Sequence, residues 1–182
     1  SGGRVDLGIG VGWIREEFEA LHVPFERRGP ITDSYLQLLR TLWVDPVSRL
    51  DAVDYYLPAC FHYPKPLQRP HVPMHIGGNS ENALRRVSRF GQGWYAFNLD
   101  PEALAAHLVT LDEMLVAEGR TRDEVTVSVC GFLQPVGLEE VKRYRDAGAD
   151  QVILYSPDLG GDDLLRKLDD MASTIVTPAL GL

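Results

Sequence analysis

Short β-branched segments alternate with amphipathic helices along most of this chain, and this alternation constrains its fold more than any other feature. The pattern is most regular in the last third, where apolar segments at Val125–Cys130 and Gln151–Tyr155 flank a helical stretch at Leu138–Ala147. Strands that are joined through helices run parallel, and their crossover connections are right-handed. The sequence therefore predicts an α/β fold with a parallel sheet and flanking helices.

Five strands are predicted in all, since three more segments have the short, apolar character of buried parallel strands. These further strands are Arg4–Val11, His71–Ile76 and Gly93–Phe97. The remaining helices are predicted at Ile14–Leu21, Thr32–Trp43, Glu81–Phe90, Pro101–Glu118 and Asp162–Ser173. Residues 44–70, rich in Pro, Asp and aromatic residues, are interpreted as an excursion between units with at most a short hairpin. A complete (β/α)8 barrel takes about 250 residues, so five units predict a partial TIM barrel.

Composition narrows the classes of partner and compartment. The chain has 18 Lys and Arg against 26 Asp and Glu, a formal charge of −8, which repels nucleic acid and anionic membranes. No apolar run reaches the roughly 20 residues of a membrane helix. The two cysteines stand far apart without a CxxC motif, which favours a reducing, cytoplasmic setting. The chain opens on Ser1-Gly2-Gly3-Arg4 rather than Met, so we expect a fragment or a processed product of one barrel domain over residues 1–182.

The first predicted strand ends in a glycine-rich segment, Gly8-Ile9-Gly10-Val11-Gly12-Trp13. Missing side chains there would let a flat ligand lie against the backbone, and the following helix would point its positive end at it. The pattern departs from a dinucleotide fingerprint, because the third glycine at the required spacing is absent. Close packing of the strand against its helix explains the same glycines equally simply.

The second strand ends in Ile76-Gly77-Gly78-Asn79-Ser80 and leads directly into a predicted helix. Free N–H groups and the dipole of a helix N-terminus favour an anion, and the Ser80 hydroxyl adds a donor, so phosphate is the expected ligand. A capped turn with Asn79 or Ser80 as the N-cap is the alternative.

Together, the ordered set of SGGRVDLGIGVGW, EEFEALHVPFERRG, YPKPLQRPHVPMHIGGNSENALRR and GQGWY resembles the luciferase-like monooxygenase superfamily, especially its deazaflavin-dependent branch. The resemblance spans the chain and implies that its strands are barrel strands 4 to 8 of the family. It also implies roles for two groups of residues. In the first group, Gly10, Val11, Gly12 and Trp13 would approach the flavin ring and phosphate tail. In the second, Gly77, Gly78, Asn79 and Ser80 would bind the phosphate.

The resemblance implies an oxidoreductase that uses reduced FMN or the deazaflavin coenzyme F-420 for hydride transfer to, or monooxygenation of, a small organic substrate. The histidine that the dehydrogenase branch of the family uses next to the flavin belongs to the early barrel strands, so the catalytic residues of this chain stay unknown. The alternative is a catalytically incomplete cofactor-binding or interaction protein. Because the first and last strands would each lack one neighbour, a homo-oligomer is also expected.

Two further groups of residues contain side chains that could bind a metal or an anion. His71 and His75 lie on a strand interrupted by proline with no third ligand nearby, so no metal site is predicted. Arg85, Arg86 and Arg89 on the Glu81 helix are interpreted as a solvated face, with screening of a cofactor phosphate as the minor alternative.

Overall fold

The computed structural model of the protein describes residues 1–155 and 163–182. The strands are β1 (Leu7–Ile9), β2 (Ser48–Asp51), β3 (Tyr56–Cys60), β4 (Met74–Gly77), β5 (Gly93–Phe97), β6 (Thr126–Cys130) and β7 (Gln151–Ile153). The helices are α1 (Arg15–Ala20), α2 (Arg28–Val44), α3 (Glu81–Phe90), α4 (Pro101–Ala117), α5 (Leu138–Asp146), α6 (Leu164–Met171) and α7 (Thr177–Ala179). Short 3-10 turns lie at Phe25–Arg27 and Arg122–Glu124, and a π-helical segment, Ala172–Val176, joins α6 to α7.

The main sheet has five parallel strands in the order β1-β4-β5-β6-β7, which confirms the predicted α/β fold with flanking helices. Apart from the inserted hairpin β2–β3, each strand lies beside the strand that precedes it in the chain. This uninterrupted order is that of successive units of a (β/α)8 barrel, and it differs from a doubly wound sheet, whose strand order reverses.

The hydrophobic core lies between this sheet and the helices. Along each strand alternate side chains point to opposite faces. Those that point to the helices are fully or nearly fully buried: Met74, Ile76, Trp94, Ala96, Val127 and Val129, packed with leucines of α3 and α4. The opposite face, here called the open face, carries Gly8, His75, Gly77, Tyr95 and Ser128.

Several element ends differ from the predicted ones. The predicted strand Arg4–Val11 is ordered as a strand only at Leu7–Ile9, because its partner β4 follows Pro73, which has no N–H to donate to a sheet. Helix α2 begins at Arg28 and not at Thr32, since Pro30 falls in the first turn, where a backbone N–H has no partner to lose. The predicted strand Gln151–Tyr155 ends at Ile153.

The predicted excursion at residues 44–70 contains the antiparallel hairpin β2–β3. The predicted start of the last helix at Asp162 lies outside the described residues, and α6 begins at Leu164. In the ranges 1–155 and 163–182, every helix is too short or too polar to cross a bilayer.

Candidate functional site

The two glycine-rich segments meet at one edge of the sheet. Strands β1 and β4 are parallel neighbours, with Ile9 in register with Ile76. Gly10 and Gly77, which follow these two residues, therefore lie side by side at the carboxyl ends of the strands. Ligand sites of barrel enzymes are built at this edge, so the sheet topology places both predicted segments where a ligand could contact them together.

The backbone at this edge is accessible at Gly10 and Gly77. A Cβ atom added to Gly10 would meet no atom within 4 Å, and one added to Gly77 would lie 3.5 Å from the Ile9 carbonyl oxygen. Gly12 is different, because its φ of +80° and a distance of 2.7 Å from its Cβ position to the Phe18 ring show close packing against α1. The packing explanation therefore applies to Gly12, whereas Gly10 faces open space.

Gly78 is held in place by strand β5. Its N–H donates to the Tyr95 carbonyl at 3.3 Å, and its own carbonyl accepts from Trp94 Nε1 at 2.9 Å. Its φ of +112° is one that side chains rarely adopt, and an added Cβ would lie 3.3 Å from Ala83 Cβ. The amide of Gly78 is thus engaged within the protein. Trp94 fixes the loop, a role that no motif in the sequence indicates.

Asn79 and Ser80 also make structural hydrogen bonds. The Asn79 side chain donates through Nδ2 to the Phe97 carbonyl at 2.6 Å and accepts through Oδ1 from the Phe97 N–H at 3.2 Å. Ser80 Oγ accepts from the Ala83 N–H at 3.3 Å, so Ser80 is the N-cap of α3, as the capped-turn alternative predicts. The remaining N–H groups of the first turn of α3 have no intrahelical acceptor and are the donors that this segment can offer to an anion.

A cleft of about 340 Å³ adjoins both glycine-rich segments. Val11 from the first segment and Ser80 from the second contribute to its lining, together with Asn82. The other lining residues come from α2, α3 and the turn before α2: Glu26, Arg28, Gly29, Pro30, Asp33 and Arg86. The structure therefore brings one residue of each predicted segment to a common, partly cationic cleft.

Arg86 corrects the interpretation of the arginine cluster as a solvated face. Its exposed fraction is 8%, and its Nε donates to Asp33 Oδ1 at 2.5 Å. Its guanidinium packs so closely on Gly29 that a Cβ there would lie 2.6 Å from Nη2. Arg85 and Arg89 are exposed, as predicted. The prediction was wrong for Arg86 because its partner belongs to α2, which is remote in sequence.

Arg28 is a cleft residue that the sequence analysis did not single out. Its Nη1 donates to the Phe25 carbonyl at 2.9 Å, and its guanidinium carbon lies 3.9 Å from the centre of the Phe25 ring. Its buried Nε has no hydrogen-bond partner in the described part of the chain. Buried N–H groups are normally paired, so Arg28 lines the cleft with one hydrogen-bonding requirement that the described part of the chain does not meet.

Trp13 is 81% exposed and is therefore not part of the hydrophobic core. It follows the first glycine-rich segment but is absent from the lining of the cleft. The fully buried tryptophan is Trp94, on β5.

Tyr95 adjoins the second segment, in register with Gly77. Burial, followed by its contact with the Cys130 thiol, raises the pKa of the Tyr95 hydroxyl to about 12. Of the two histidines considered as metal ligands, His71 is buried with Nδ1 2.8 Å from the Val72 carbonyl, and His75 lies on the open face.

Comparison with known proteins places these features in a family. The family described as luciferase-like monooxygenase matches residues 1–151. A protein of Mycobacterium tuberculosis (strain ATCC 25618 / H37Rv) is 27% identical over 176 residues, which are 96% of this chain and 61% of that protein. The FMNH(2)-dependent dimethylsulfone monooxygenase of Pseudomonas putida is 25% identical over 146 residues, 79% of this chain and 39% of that enzyme.

Among solved structures, an F420-dependent secondary alcohol dehydrogenase in complex with an F420-acetone adduct has a TM-score of 0.77 at 16% identity, covering 97% of this chain and 70% of that chain. With 61% of the mycobacterial protein and 39% of the Pseudomonas enzyme covered, the chain spans less than two thirds of the length of these curated relatives. The family match over most of the chain, on a sheet with the strand order of successive barrel units, shows that this chain belongs to the luciferase-like monooxygenase family.

Proposed function

We propose that this chain is the cofactor-binding part of an oxidoreductase that uses reduced FMN or deazaflavin coenzyme F-420 to reduce or oxygenate a small organic substrate. The observation that carries the proposal is the juxtaposition of Gly10 and Gly77 at the carboxyl edge of β1 and β4, beside the N-terminus of α3. The FMNH(2)-dependent and F420-dependent proteins similar to this chain support the same two cofactors.

The residues of the site fit both ends of such a cofactor. A flat ring requires backbone without side chains, and the space around Gly10 is open to at least 4 Å from a Cβ position. A phosphate requires donors, which the first turn of α3 supplies, and the Arg28 guanidinium in the lining of the cleft adds a positive charge. Arg86 is paired with Asp33 and therefore shapes the cleft more than it supplies free charge.

In this proposal, Gly10, Val11, Gly12 and Trp13 line the approach to the ring and the phosphate tail. Gly77, Gly78, Asn79 and Ser80 form the turn whose helix binds the phosphate. The cofactor, when bound, supplies the hydride-transfer or oxygen chemistry, and the protein orients it and excludes water. Tyr95 is a neutral phenol at physiological pH, since its ordinary pKa of 10.0 already lies well above that range and burial raises the pKa further, to about 12. Its hydroxyl can therefore hydrogen-bond without adding negative charge.

Binding without catalysis is the second candidate. It is favoured by the polar side chains of the second segment, which are used to hold the turn: Asn79 is bonded to Phe97, and Ser80 caps α3. Side chains engaged in this way are not free to act on a substrate. Oxidation of the reduced cofactor in the presence of a substrate panel separates the two candidates, since a binding protein would show cofactor affinity but no turnover.

The proposal also includes a small-molecule substrate, a homo-oligomeric state and a reducing cytoplasmic setting. The free thiols of Cys60 and Cys130 support the reducing setting.

The decisive experiment fills the space above Gly10. A Cβ atom at Gly10 meets no protein atom within 4 Å and Gly10 has no positive φ, so the Gly10→Val variant is expected to keep its thermal midpoint. The same side chain would occupy the space of the ring. We expect the affinity for FMN and for coenzyme F-420, measured by titration, to fall by at least about tenfold, which is roughly 1.4 kcal/mol.

Gly181→Val is the matched control, because a Cβ at Gly181 also meets nothing within 4 Å and this residue lies far along the chain. Equal affinity of Gly10→Val and wild-type protein would remove the glycine edge from the proposal. Quenching of Trp13 emission on titration, taken as the difference between wild-type and Trp13→Phe protein, reports whether the exposed indole is near the ring. Trp94 is left in place, because it is buried and bonded to the Gly78 carbonyl.

A further inference from the structure

A row of aromatic rings crosses the carboxyl edge of the sheet beyond the glycine-rich segments. The ring centres of Tyr95 and Phe97 are 6.4 Å apart, those of Phe97 and Phe132 are 4.9 Å apart, and those of Phe132 and Tyr155 are 4.6 Å apart. Tyr95 and Phe97 belong to β5, Phe132 follows β6 and Tyr155 follows β7. Three successive strands thus each deliver an aromatic side chain to one continuous surface.

The aromatic side chains of this surface are unusually exposed to solvent, although exposure of an apolar side chain does not stabilise the fold. Phe97 is 40%, Phe132 36% and Tyr155 49% exposed, whereas Trp94 and Ala96, which face the helices from the same β5, are both 0% exposed. Scattered single apolar residues on a surface are ordinary, but contiguous ones mark sites of interaction.

The backbone is held in an unfavourable conformation to present one of these rings. Phe132 has a φ of +38°, a left-handed value that bulky residues rarely adopt. The neighbouring turn after β5 contains a second left-handed residue, Asn98, with a φ of +53°. Asn98 joins the two turns, since its N–H donates to the Cys130 carbonyl at 2.7 Å and its Oδ1 accepts from the Leu133 N–H at 3.2 Å. Strained residues that the surrounding bonds hold in place concentrate at functional sites.

The row is continuous with the proposed cofactor site. Tyr95 is in register with Gly77, and its Cδ1 lies 4.0 Å from the Cβ position of that glycine. Phe97 is bonded through its backbone to the Asn79 side chain. Adjacent strands are about 4.8 Å apart. The row from β5 to β7 therefore extends away from the glycine-rich segments over a distance comparable to the width of a small ring system.

We propose that Phe97, Phe132 and Tyr155 form an aromatic wall that binds the flat, apolar part of the substrate, an aromatic or fused-ring compound, beside the cofactor. This substrate class rests on the proposed function. The rings of the wall are tilted by 40° and 43° to one another, so their faces and edges are both presented. Aromatic pairs prefer offset and edge-to-face contacts of this kind, which favours a ring-bearing ligand.

The wall is tested with 2-naphthol as the probe, by saturation-transfer NMR and titration on the protein and its Phe132→Ala variant. We expect Phe132→Ala to weaken 2-naphthol binding by about tenfold, as the loss of a favourable ring contact implies, and to leave FMN affinity within about twofold, a margin well below one ring contact. Phe61→Ala is the matched control, because Phe61 is 74% exposed and follows β3, outside the row. It should bind both ligands like the wild type.

Phe132→Leu and Tyr155→Ala guard against a local change in the strained turn. Each removes one ring, and Tyr155→Ala leaves the turn at Phe132 untouched, so both should weaken 2-naphthol binding. Unchanged 2-naphthol affinity in all three variants would overturn the wall. So would weakened FMN binding with unchanged 2-naphthol binding, because the rings would then hold the cofactor. Failure of the wild type to bind FMN contradicts the proposed function separately, and the 2-naphthol measurements still decide the wall.

Discussion

At the scale of single residues, two adjacent arginines on α3 contribute very differently to the stability of the fold. Arg85 pairs with Glu81 one turn away, with side chains 50% and 69% exposed, and exposed pairs of this kind contribute little to stability. Arg86 is buried against Gly29 and paired with Asp33, whose side chain is 30% exposed. Removal of one partner of a buried pair leaves the other charge without compensation.

We therefore expect Arg86→Met to lower the free energy of unfolding by about 3 kcal/mol, since it leaves Asp33 unpaired at the cleft. Arg85→Met is the control and should change it by at most about 0.5 kcal/mol. Urea denaturation of both variants provides the measurement. Equal stabilities of the two variants would mean that the Arg86–Asp33 pair is not formed in solution.

Tyr95 gives the protein a dependence on alkaline pH. Burial raises the pKa of its hydroxyl from 10.0 to about 12, so the unfolded chain loses this proton first as pH rises. The contribution of Tyr95 to stability is complete below pH 10 and is lost between pH 10 and about 12. We expect the free energy of unfolding to fall over that interval, and Tyr95→Phe to fall less steeply. Tyr56→Phe, at a side chain 69% exposed, should retain the wild-type slope, and an identical slope for Tyr95→Phe would refute the assignment.

At the scale of elements, a single arginine holds the C-terminal end of α3. Arg120 donates to the carbonyls of Val87 at 3.1 Å, Ser88 at 2.9 Å and Gly91 at 2.9 Å. These carbonyls lie at the end of the helix whose N-terminus adjoins the cleft, so the contact fixes α3 against the loop that follows α4. A cation at the C-terminal end also complements the helix dipole.

Arg120→Met is expected to cost about 2 kcal/mol of unfolding free energy, because hydrogen bonds to a charged group contribute more than neutral ones and three acceptors lose their donor. Arg143→Met, which removes only an exposed pair with Glu102, is the control and should be nearly neutral. Chemical denaturation compares the two. A loss as small as that of Arg143→Met would show that water replaces Arg120 at these carbonyls without cost.

The elements that the sequence predicted best are those with strong end signals. The bounds of α3 at Glu81–Phe90 and of β5 at Gly93–Phe97 are as predicted, because Ser80 caps the helix and glycines separate it from the strand. The meeting of Gly10 with Gly77 was also predictable, since parallel strands end at the same edge of a sheet. The burial of Arg86 was not, because Asp33 lies 53 positions away and only tertiary packing brings it there. Likewise, hydrophobic periodicity carries no signal for the left-handed turn at Phe132.

At the scale of the whole molecule, the sheet has two edges. Within the described residues, β1 pairs only with β4, and β7 pairs only with β6. Apolar side chains accompany these edges, with Val5 46% and Ile153 38% exposed. Unpaired strand edges beside apolar residues promote association with another chain.

We accordingly expect the 182-residue chain to self-associate, as measured by size-exclusion chromatography with light scattering. Ile153→Lys, which places a charge at the β7 edge, should shift the population toward monomer. Val109→Lys, at a residue 62% exposed on α4, is the control and should leave the distribution unchanged. A wild-type chain that is monomeric at every concentration would show that both edges are protected.

The two hydrogen bonds between the Asn79 side chain and the backbone of Phe97 join the turn that would hold a phosphate to the first ring of the aromatic wall. Because these two segments are bonded to each other, a ligand that restricts the motion of one would also restrict the other and leave the second ligand less conformational entropy to remove. Phosphate-bearing cofactor and ring-bearing substrate should consequently bind with positive cooperativity, and each should raise the affinity of the other by the same factor.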